Sequence, residues 1–157
     1  MVEAALSVKT QRLEKQGPEK KVVAPSMDSI DLSTFTVEAI EEAGLGDRYC
    51  LDFLSLFSQN EGVLVGSSAQ SLYLVHSETI ASTFVPTRPF RVNAGSPHSY
   101  IMMADGSTKY LSELCAGDVV MAVKASGETR GVVLGRMKIE QRPMLKISCK
   151  IGTKPHQ

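Results

Sequence analysis

The stretch YIMMADGSTKY, residues 100–110, decides the fold class. Two short runs of β-forming residues flank Asp105-Gly106, where glycine can adopt the positive φ that a tight hairpin turn requires. Ser126-Gly127 separates two further β-like runs, residues 119–124 and 129–139, in the same way. The sequence therefore predicts antiparallel strands joined by short turns.

The same alternation continues on both sides of these hairpins. Tyr49, Leu51 and Phe53 alternate with more polar neighbours, and short β-like runs recur at residues 63–66, 72–76 and 144–148. Residues 35–39 are interpreted as a strand, although residues 37–43 could equally form a short helix. We predict a mainly β domain, of class α+β, with about eight strands in a small barrel or sandwich after one N-terminal helix.

Four segments follow from these patterns. Residues 1–17 are predicted to form the helix, because apolar residues share one stripe and Gly17-Pro18 ends the pattern. Residues 18–31 are expected to be an exposed linker, residues 32–150 the β-rich domain and residues 151–157 a tail. No closing element follows the last strand, so a partner or a missing segment is expected to cover the open sheet edge.

Composition excludes several classes of protein. Of the 157 residues, 43 % are apolar and 22 % are charged, which is typical of a globular domain. The 17 basic residues balance the 17 acidic ones, so nucleic acid is not an expected partner. The longest apolar run, residues 119–123, is far shorter than the ~18 residues of a membrane span, so no membrane association is expected either. Three cysteines without a CxxC pair favour a reducing intracellular compartment, cytoplasmic or plastid, and support no metal site.

The stretch RPFRVNAG, residues 88–95, carries the clearest candidate binding residues. In an extended strand Arg91 and Asn93 share one face, whereas Phe90 and Val92 are expected to face the core. Guanidinium groups match carboxylate and phosphate oxygens, so Arg88 and Arg91 predict a small anionic substrate. The alternative is that both arginines pair with surface carboxylates, for example Glu78 or Glu113.

Two histidines are candidates for proton transfer. His98 and Tyr100 lie just beyond the arginines, and His76 and Glu78 share a face at the end of a predicted strand. Either histidine could instead be structural. The His-x-Glu pattern lacks the Pro-Cys-x-x-Cys half of the zinc deaminases, so zinc is not predicted.

Two weaker patterns remain. Gly44-Leu45-Gly46 resembles part of a dinucleotide-binding fingerprint, but Tyr49 replaces the third glycine and a strand follows. It is interpreted as a turn, and no cofactor-binding residue is assigned. Arg136, Lys138 and Glu140 alternate along one strand and are most simply a solvated face, with a place in a binding site as the alternative.

The string RPFRVNAGSPHSY, residues 88–100, resembles the archaeal-type 3-dehydroquinate synthase family. EGVLVGSSAQSLYLVHSET precedes it at residues 61–79, and DGSTKYLSEL, AGDVV and GRMKIEQRP follow it between residues 105 and 143. The resemblance extends from about residue 32 to about residue 150. It implies NAD-dependent oxidative deamination of 2-amino-3,7-dideoxy-D-threo-hept-6-ulosonate and cyclisation to 3-dehydroquinate, in aromatic amino-acid (shikimate) biosynthesis.

We expect particular residues to serve that reaction. Substrate binding is assigned to Arg88 and Arg91 as a clamp for the anion, to Asn93 as an orienting group, and to Gly95. Acid/base chemistry is assigned to His76 and His98, assisted by Glu78 and Tyr100. NAD is the expected cofactor.

The sequence also departs from the family pattern. Family chains are more than twice this length, so this chain alone is expected to have little or no activity, and Ser96 stands before Pro97 where the family tends to have proline. A non-catalytic β-rich interaction module or degenerate fragment therefore remains an alternative. A further local resemblance, of residues 104–120 to Hint-type self-splicing domains, lacks the nucleophile and the closing asparagine.

Overall fold

The protein is described by a computed structural model that covers residues 27–152. Eight strands follow one another along the chain, with one short 3-10 turn, Leu111–Glu113, after the sixth. They are β1 (Phe35–Phe53), β2 (Glu61–Ser68), β3 (Ser71–Glu78), β4 (Arg88–Gly95), β5 (Tyr100–Met102), β6 (Thr108–Tyr110), β7 (Val119–Lys124) and β8 (Thr129–Ile151).

Six of the strands close into an antiparallel barrel. The pairing runs from β3 through β4, β1, β8, β7 and β2, and β2 pairs again with β3. The hairpin of β5 and β6 attaches to β2 beyond the end of β7. Closure leaves these six strands without a free edge over their shared length.

Two apolar clusters hold the barrel. Alternate residues of each strand point inward and form a core that includes Leu51, Val63, Val92 and Leu134. A second cluster lies outside the barrel on β2 and β7, where Leu64, Met121 and Val123 are covered by partly buried residues such as Ile30. β2 and β7 contribute to both clusters because both of their faces are apolar.

β1 and β8 continue beyond the barrel as a two-stranded ribbon. From Arg48, opposite Glu140, to Phe35, opposite Ile151, the two strands pair only with each other. The far end returns to the barrel, because the Phe35 ring lies edge-on to the Tyr73 ring with centroids 4.9 Å apart. The ribbon is thus attached at both ends.

The α+β class is wrong. Residues 27–152 contain no α-helix, so this part of the chain is all-β. The mainly β content agrees with the prediction, and the structure forms the barrel rather than the sandwich. The helix predicted for residues 1–17 lies outside the described residues, as does most of the expected linker.

Two local predictions also change. The segment 44–49, expected to be a turn, lies inside β1, where a register shift between Glu42 and Gly44 accommodates the positive φ of 84° at Gly44. Phe90 is half-buried rather than in the core, because three residues of β4 have no partner on β3 between the Ser77–Val92 and Glu78–Arg88 pairs. This irregularity interrupts the alternation that sequence reasoning assumes.

Candidate functional site

The outer surface of β4, β1 and β8 carries a group of polar side chains. Tyr49, Leu51 and Phe53 face inward, so the alternate residues of β1 face outward, and cross-strand register places the outward residues of β4 and β8 beside them. We name this group the charged face; it comprises Arg48, Cys50, Asp52, Arg91, Asn93, Arg136, Lys138 and Glu140. Its four cations exceed its two carboxylates, so it has a surplus of positive charge.

Asp52 is the centre of this face. Its carboxylate accepts two hydrogen bonds from Arg91, Nε at 2.7 Å and Nη2 at 2.9 Å, and one from Arg136 Nε at 2.6 Å. Hydrogen bonding from Arg91 and then from Arg136 lowers the pKa of Asp52, although burial opposes the shift. Asp52 is therefore ionised at neutral pH and holds two guanidinium groups in place.

The two arginines differ in exposure. The Arg91 side chain is only 12 % exposed, and its hydrogen bonds to Asp52 raise the pKa of its guanidinium further. The Arg136 side chain is 69 % exposed and contacts Asp52 through Nε, which leaves its terminal amino groups accessible to a ligand. Arg91 is thus suited to position Asp52, and Arg136 to bind an anion.

A cavity opens beside this pair. It has a volume of about 380 Å³ and is bounded by Asp52, Phe90 and Arg136 together with Phe53, Leu54 and Gly135. The Phe90 ring also lies 6.0 Å from the Arg91 guanidinium carbon. The walls of the cavity are mostly apolar with polar groups at one side, and it is open to solvent over much of its extent.

Glu140 forms a second cluster of charges farther along the face. It accepts contacts from Arg48 Nη2 at 2.5 Å, Lys138 Nζ at 2.9 Å and Arg142 Nη2 at 3.3 Å. The hydrogen bond from Lys138, followed by those from Arg142 and Arg48, lowers the pKa of Glu140 to about 2. Glu140 therefore stays ionised at neutral pH and partly neutralises the surrounding cations.

Cys50 lies between the two clusters and is buried. Burial raises the pKa of its thiol, while the nearby charges of Arg48 and Arg91 act in the opposite direction. The thiol is consequently neutral at physiological pH, which argues against a nucleophilic role.

The structure places the other predicted binding residues around this face. Asn93 is exposed and stands opposite Cys50 on β4. Arg88 donates to Glu78 at 3.4 Å, one of the two carboxylates that the alternative interpretation named for the arginines. His76 is exposed on β3, two residues before Glu78. Glu78 lies close enough to Arg91 to interact with it electrostatically.

His98 lies in the connection between β4 and β5, three residues after the end of β4. Gly95 stands opposite Tyr49 with a φ of 108°, a conformation that favours glycine. His98 is exposed, and its Nε2 lies 3.3 Å from Ser96 Oγ. Backbone hydrogen bonds from Ser99 to Ser96 and from Ser112 to Pro97 fix this turn.

Tyr100 belongs to a different environment. Its hydroxyl oxygen lies 2.7 Å from that of Tyr110, and the two rings pack with centroids 4.5 Å apart. The hydrogen bond to Tyr110 raises the pKa of Tyr100. The structure therefore pairs Tyr100 across the β5–β6 hairpin.

Sequence reasoning missed Asp52 as a site residue and left Arg136 as a strand-face residue. The available signal was alternation, since Asp52 is a carboxylate between the inward-facing Leu51 and Phe53. What sequence could not supply was the register that puts Asp52 opposite both Arg91 and Arg136.

The described residues offer neither a metal cluster nor a membrane-spanning helix. Residues 27–152 contain no group of three or more His, Cys, Asp or Glu side chains placed to hold a metal ion. In the same residues, no helix has the length and apolar character of a membrane span.

Comparison with known proteins identifies the family. Residues 34–157 match the family described as the 3-dehydroquinate synthase II C-terminal domain. The chain is 50 % identical over 125 residues to the 3-dehydroquinate synthase of Methanosphaera stadtmanae, 51 % over 124 residues to that of Halobacterium salinarum and 47 % over 128 residues to that of Methanococcus maripaludis.

These alignments cover most of this chain and a smaller part of each relative. They include 80 %, 79 % and 82 % of the chain but 35 %, 32 % and 36 % of the three relatives, so the chain spans about a third of their length. No solved structure matches the chain with significance. The family match nevertheless covers well over half of the chain, and the chain therefore belongs to the 3-dehydroquinate synthase II family, to whose C-terminal domain it corresponds.

Proposed function

We propose that this chain supplies the substrate-binding β-barrel of a 3-dehydroquinate synthase. The relatives bear that name, and the family resemblance implies oxidative deamination of 2-amino-3,7-dideoxy-D-threo-hept-6-ulosonate followed by cyclisation. Both that substrate and 3-dehydroquinate carry a carboxylate. The proposed role of the barrel is to bind this carboxylate at the charged face, in a reducing intracellular compartment.

The arrangement of Asp52, Arg91 and Arg136 carries this proposal. A buried carboxylate binds one buried and one exposed guanidinium, and the exposed one borders a cavity of about 380 Å³. Arg136 would bind the substrate carboxylate with its terminal amino groups, as guanidinium forks commonly do. Asp52 would keep Arg136 oriented, and Arg91 would keep Asp52 in place as a positioning residue.

The remaining candidate residues are proposed to complete the site. His76 and His98 are both exposed and are proposed as acid/base groups, with Glu78 and Tyr100 assisting. Arg88, Asn93 and Gly95 are proposed to line the substrate's path along β4. An enolate must gain and lose protons during ring closure, which requires groups of this kind.

The described residues do not fit a complete site for NAD. Residues 27–152 have no α-helix whose N-terminus could receive the pyrophosphate, and Gly44-Leu45-Gly46 lies within a strand. NAD is still proposed as the cofactor, on the family resemblance alone.

Binding of 3-dehydroquinate to the full chain tests the proposal. Arg136→Gln should weaken binding measured by calorimetry by about 10- to 100-fold, which corresponds to the ~1.5–3 kcal/mol of a charge-assisted hydrogen bond. Lys124→Gln is the matched control, since Lys124 is an exposed cation on β7 that pairs with Glu128. Equal affinities for wild type and Arg136→Gln, or no binding to the wild-type chain, would overturn the proposed site.

A further inference from the structure

The β1–β8 ribbon has one apolar face. Cross-strand register places alternate residues of both strands on the side that continues the inward face of the barrel. Glu42 and Asp47 also lie on this side. We name its large apolar residues the apolar strip; they are Phe35, Val37, Ile40, Leu45, Ile139, Leu145, Ile147 and Ile151.

The opposite face of the ribbon is polar. Glu41 and Lys146 form an ion pair of 3.1 Å there, and Arg48 contacts Glu140 at 2.5 Å. Thr36 and Lys150 pair with each other across the strands on that face. The ribbon is therefore amphipathic, and only one of its faces gains from being covered.

Every residue of the strip is exposed. Relative exposure ranges from 44 % at Phe35 to 70 % at Leu45, and the cross-strand neighbours Ile40 and Ile147 are 62 % and 57 % exposed. The strip is presented on a ribbon that is attached to the barrel at both ends, so binding need not order a free segment.

The exposed area is large for a monomer. Eight large side chains that are each about half exposed offer on the order of 700 Å², above the ~300–600 Å² of the largest patch on a typical monomer. A standard interface buries ~800 Å² on each partner. The strip alone thus supplies most of one side of a stable interface.

We propose that the apolar strip is the interface with a second copy of this chain. A two-fold axis would lay each strip on the other and leave both polar faces in solvent, as an isologous dimer requires. A partner bound mainly by charge is disfavoured, because the eight apolar residues of the strip share their side with two charged residues, Glu42 and Asp47, and the uncharged Gln141. Residues 1–26 and 153–157 of the same chain are the competing occupant.

Sedimentation velocity of the full chain tests this inference. The wild type is expected to sediment as a dimer across a hundredfold range of concentration, and Ile40→Lys is expected to sediment as a monomer. Thr36→Lys is the matched control, because it adds the same charge to the same strand on the opposite face. Circular dichroism establishes that both variants keep the wild-type fold.

Other outcomes overturn the proposal. A wild-type monomer at all concentrations contradicts it, and hydrogen exchange protection of the strip in that monomer would assign the occupant to residues 1–26 or 153–157. Equal dissociation by Thr36→Lys and Ile40→Lys would place the interface elsewhere. None of these results depends on whether the charged face binds an anion.

Discussion

Replacing Asp52 by asparagine tests the centre of the charged face. The change keeps the shape of the side chain but removes the charge that binds Arg91 and Arg136. The Asp52 and Arg91 side chains are 7 % and 12 % exposed, so the variant leaves the largely buried Arg91 without its hydrogen-bonded counter-ion, and only the more distant charge of Glu78 still acts on it. Breaking a buried ion pair in this way costs ~3–5 kcal/mol, whereas the exposed Arg136 adds only ~0–1 kcal/mol.

We therefore expect Asp52→Asn to lower the free energy of unfolding by about 3–4 kcal/mol at pH 7. Urea denaturation followed by circular dichroism measures this directly, and the midpoint should fall by ~1–4 M for m-values of ~1–3 kcal/mol/M. Arg136→Gln is the control and should change stability by less than ~1 kcal/mol. Comparing the two variants separates the contribution of the buried Asp52–Arg91 pair from that of the exposed Asp52–Arg136 contact.

The difference in the free energy of unfolding between wild type and Asp52→Asn should also depend on pH, and should shrink as the pH falls. The folded-state pKa of Asp52 lies below its ordinary value, so its stabilisation is fully present above the unfolded pKa and is lost as pH falls through the folded one. The gap between wild type and Asp52→Asn should therefore narrow from pH 5 towards pH 2, around the ordinary aspartate pKa of ~3.9. A gap below ~1 kcal/mol at pH 7, or one independent of pH, would refute the buried-pair argument.

Two further substitutions test how the barrel is held. Gly62→Ala should destabilise the fold by at least about 2 kcal/mol, because a Cβ there would lie 1.9 Å from the Val75 carbonyl oxygen. Thermal unfolding measures this loss, with Gly152→Ala as the control because a Cβ at residue 152 would meet nothing within 4 Å. Equal losses of stability in the two variants would contradict the prediction. Glu61→Gln should lower the free energy of unfolding by ~1.5–3 kcal/mol at pH 7, since the buried Glu61 carboxylate accepts hydrogen bonds from Arg130 and Ser58. Urea denaturation that shows no loss of stability would contradict this.

The hairpins could be predicted because their signal is local. Asp105-Gly106 and Ser126-Gly127 do connect β5 to β6 and β7 to β8, and Gly106 and Gly127 have φ values of 84° and 96°. A tight turn depends on the few residues that form it, so neighbouring sequence is sufficient.

The ribbon could not be predicted in this way. Gly44-Leu45-Gly46 has the composition of a turn, and Pro143 interrupts the strand pattern of β8, yet the two segments pair with each other. β8 has no second neighbour at Pro143, so the missing amide hydrogen costs no ladder hydrogen bond on that side. Pairing between distant segments overrides local propensity here.

The candidate site could be predicted only in part, because it too depends on pairing between distant segments. Alternation placed Arg91 and Asn93 on one outward face, as the structure has them. The partner of Arg91 is 39 residues away on β1, and no local pattern gives that register. A charged residue's role in a sheet is thus fixed by its cross-strand neighbours, which sequence alone leaves open.

An NMR titration of the full chain with 3-dehydroquinate tests the central claim most directly. Amide resonances assigned along the chain report which surface the ligand contacts. The account predicts chemical-shift changes concentrated at residues 90–95 of β4 and 135–138 of β8, around the cavity beside Asp52, and their loss in Arg136→Gln. Changes concentrated on the apolar strip or on the β5–β6 hairpin, or none at saturating ligand, would contradict it.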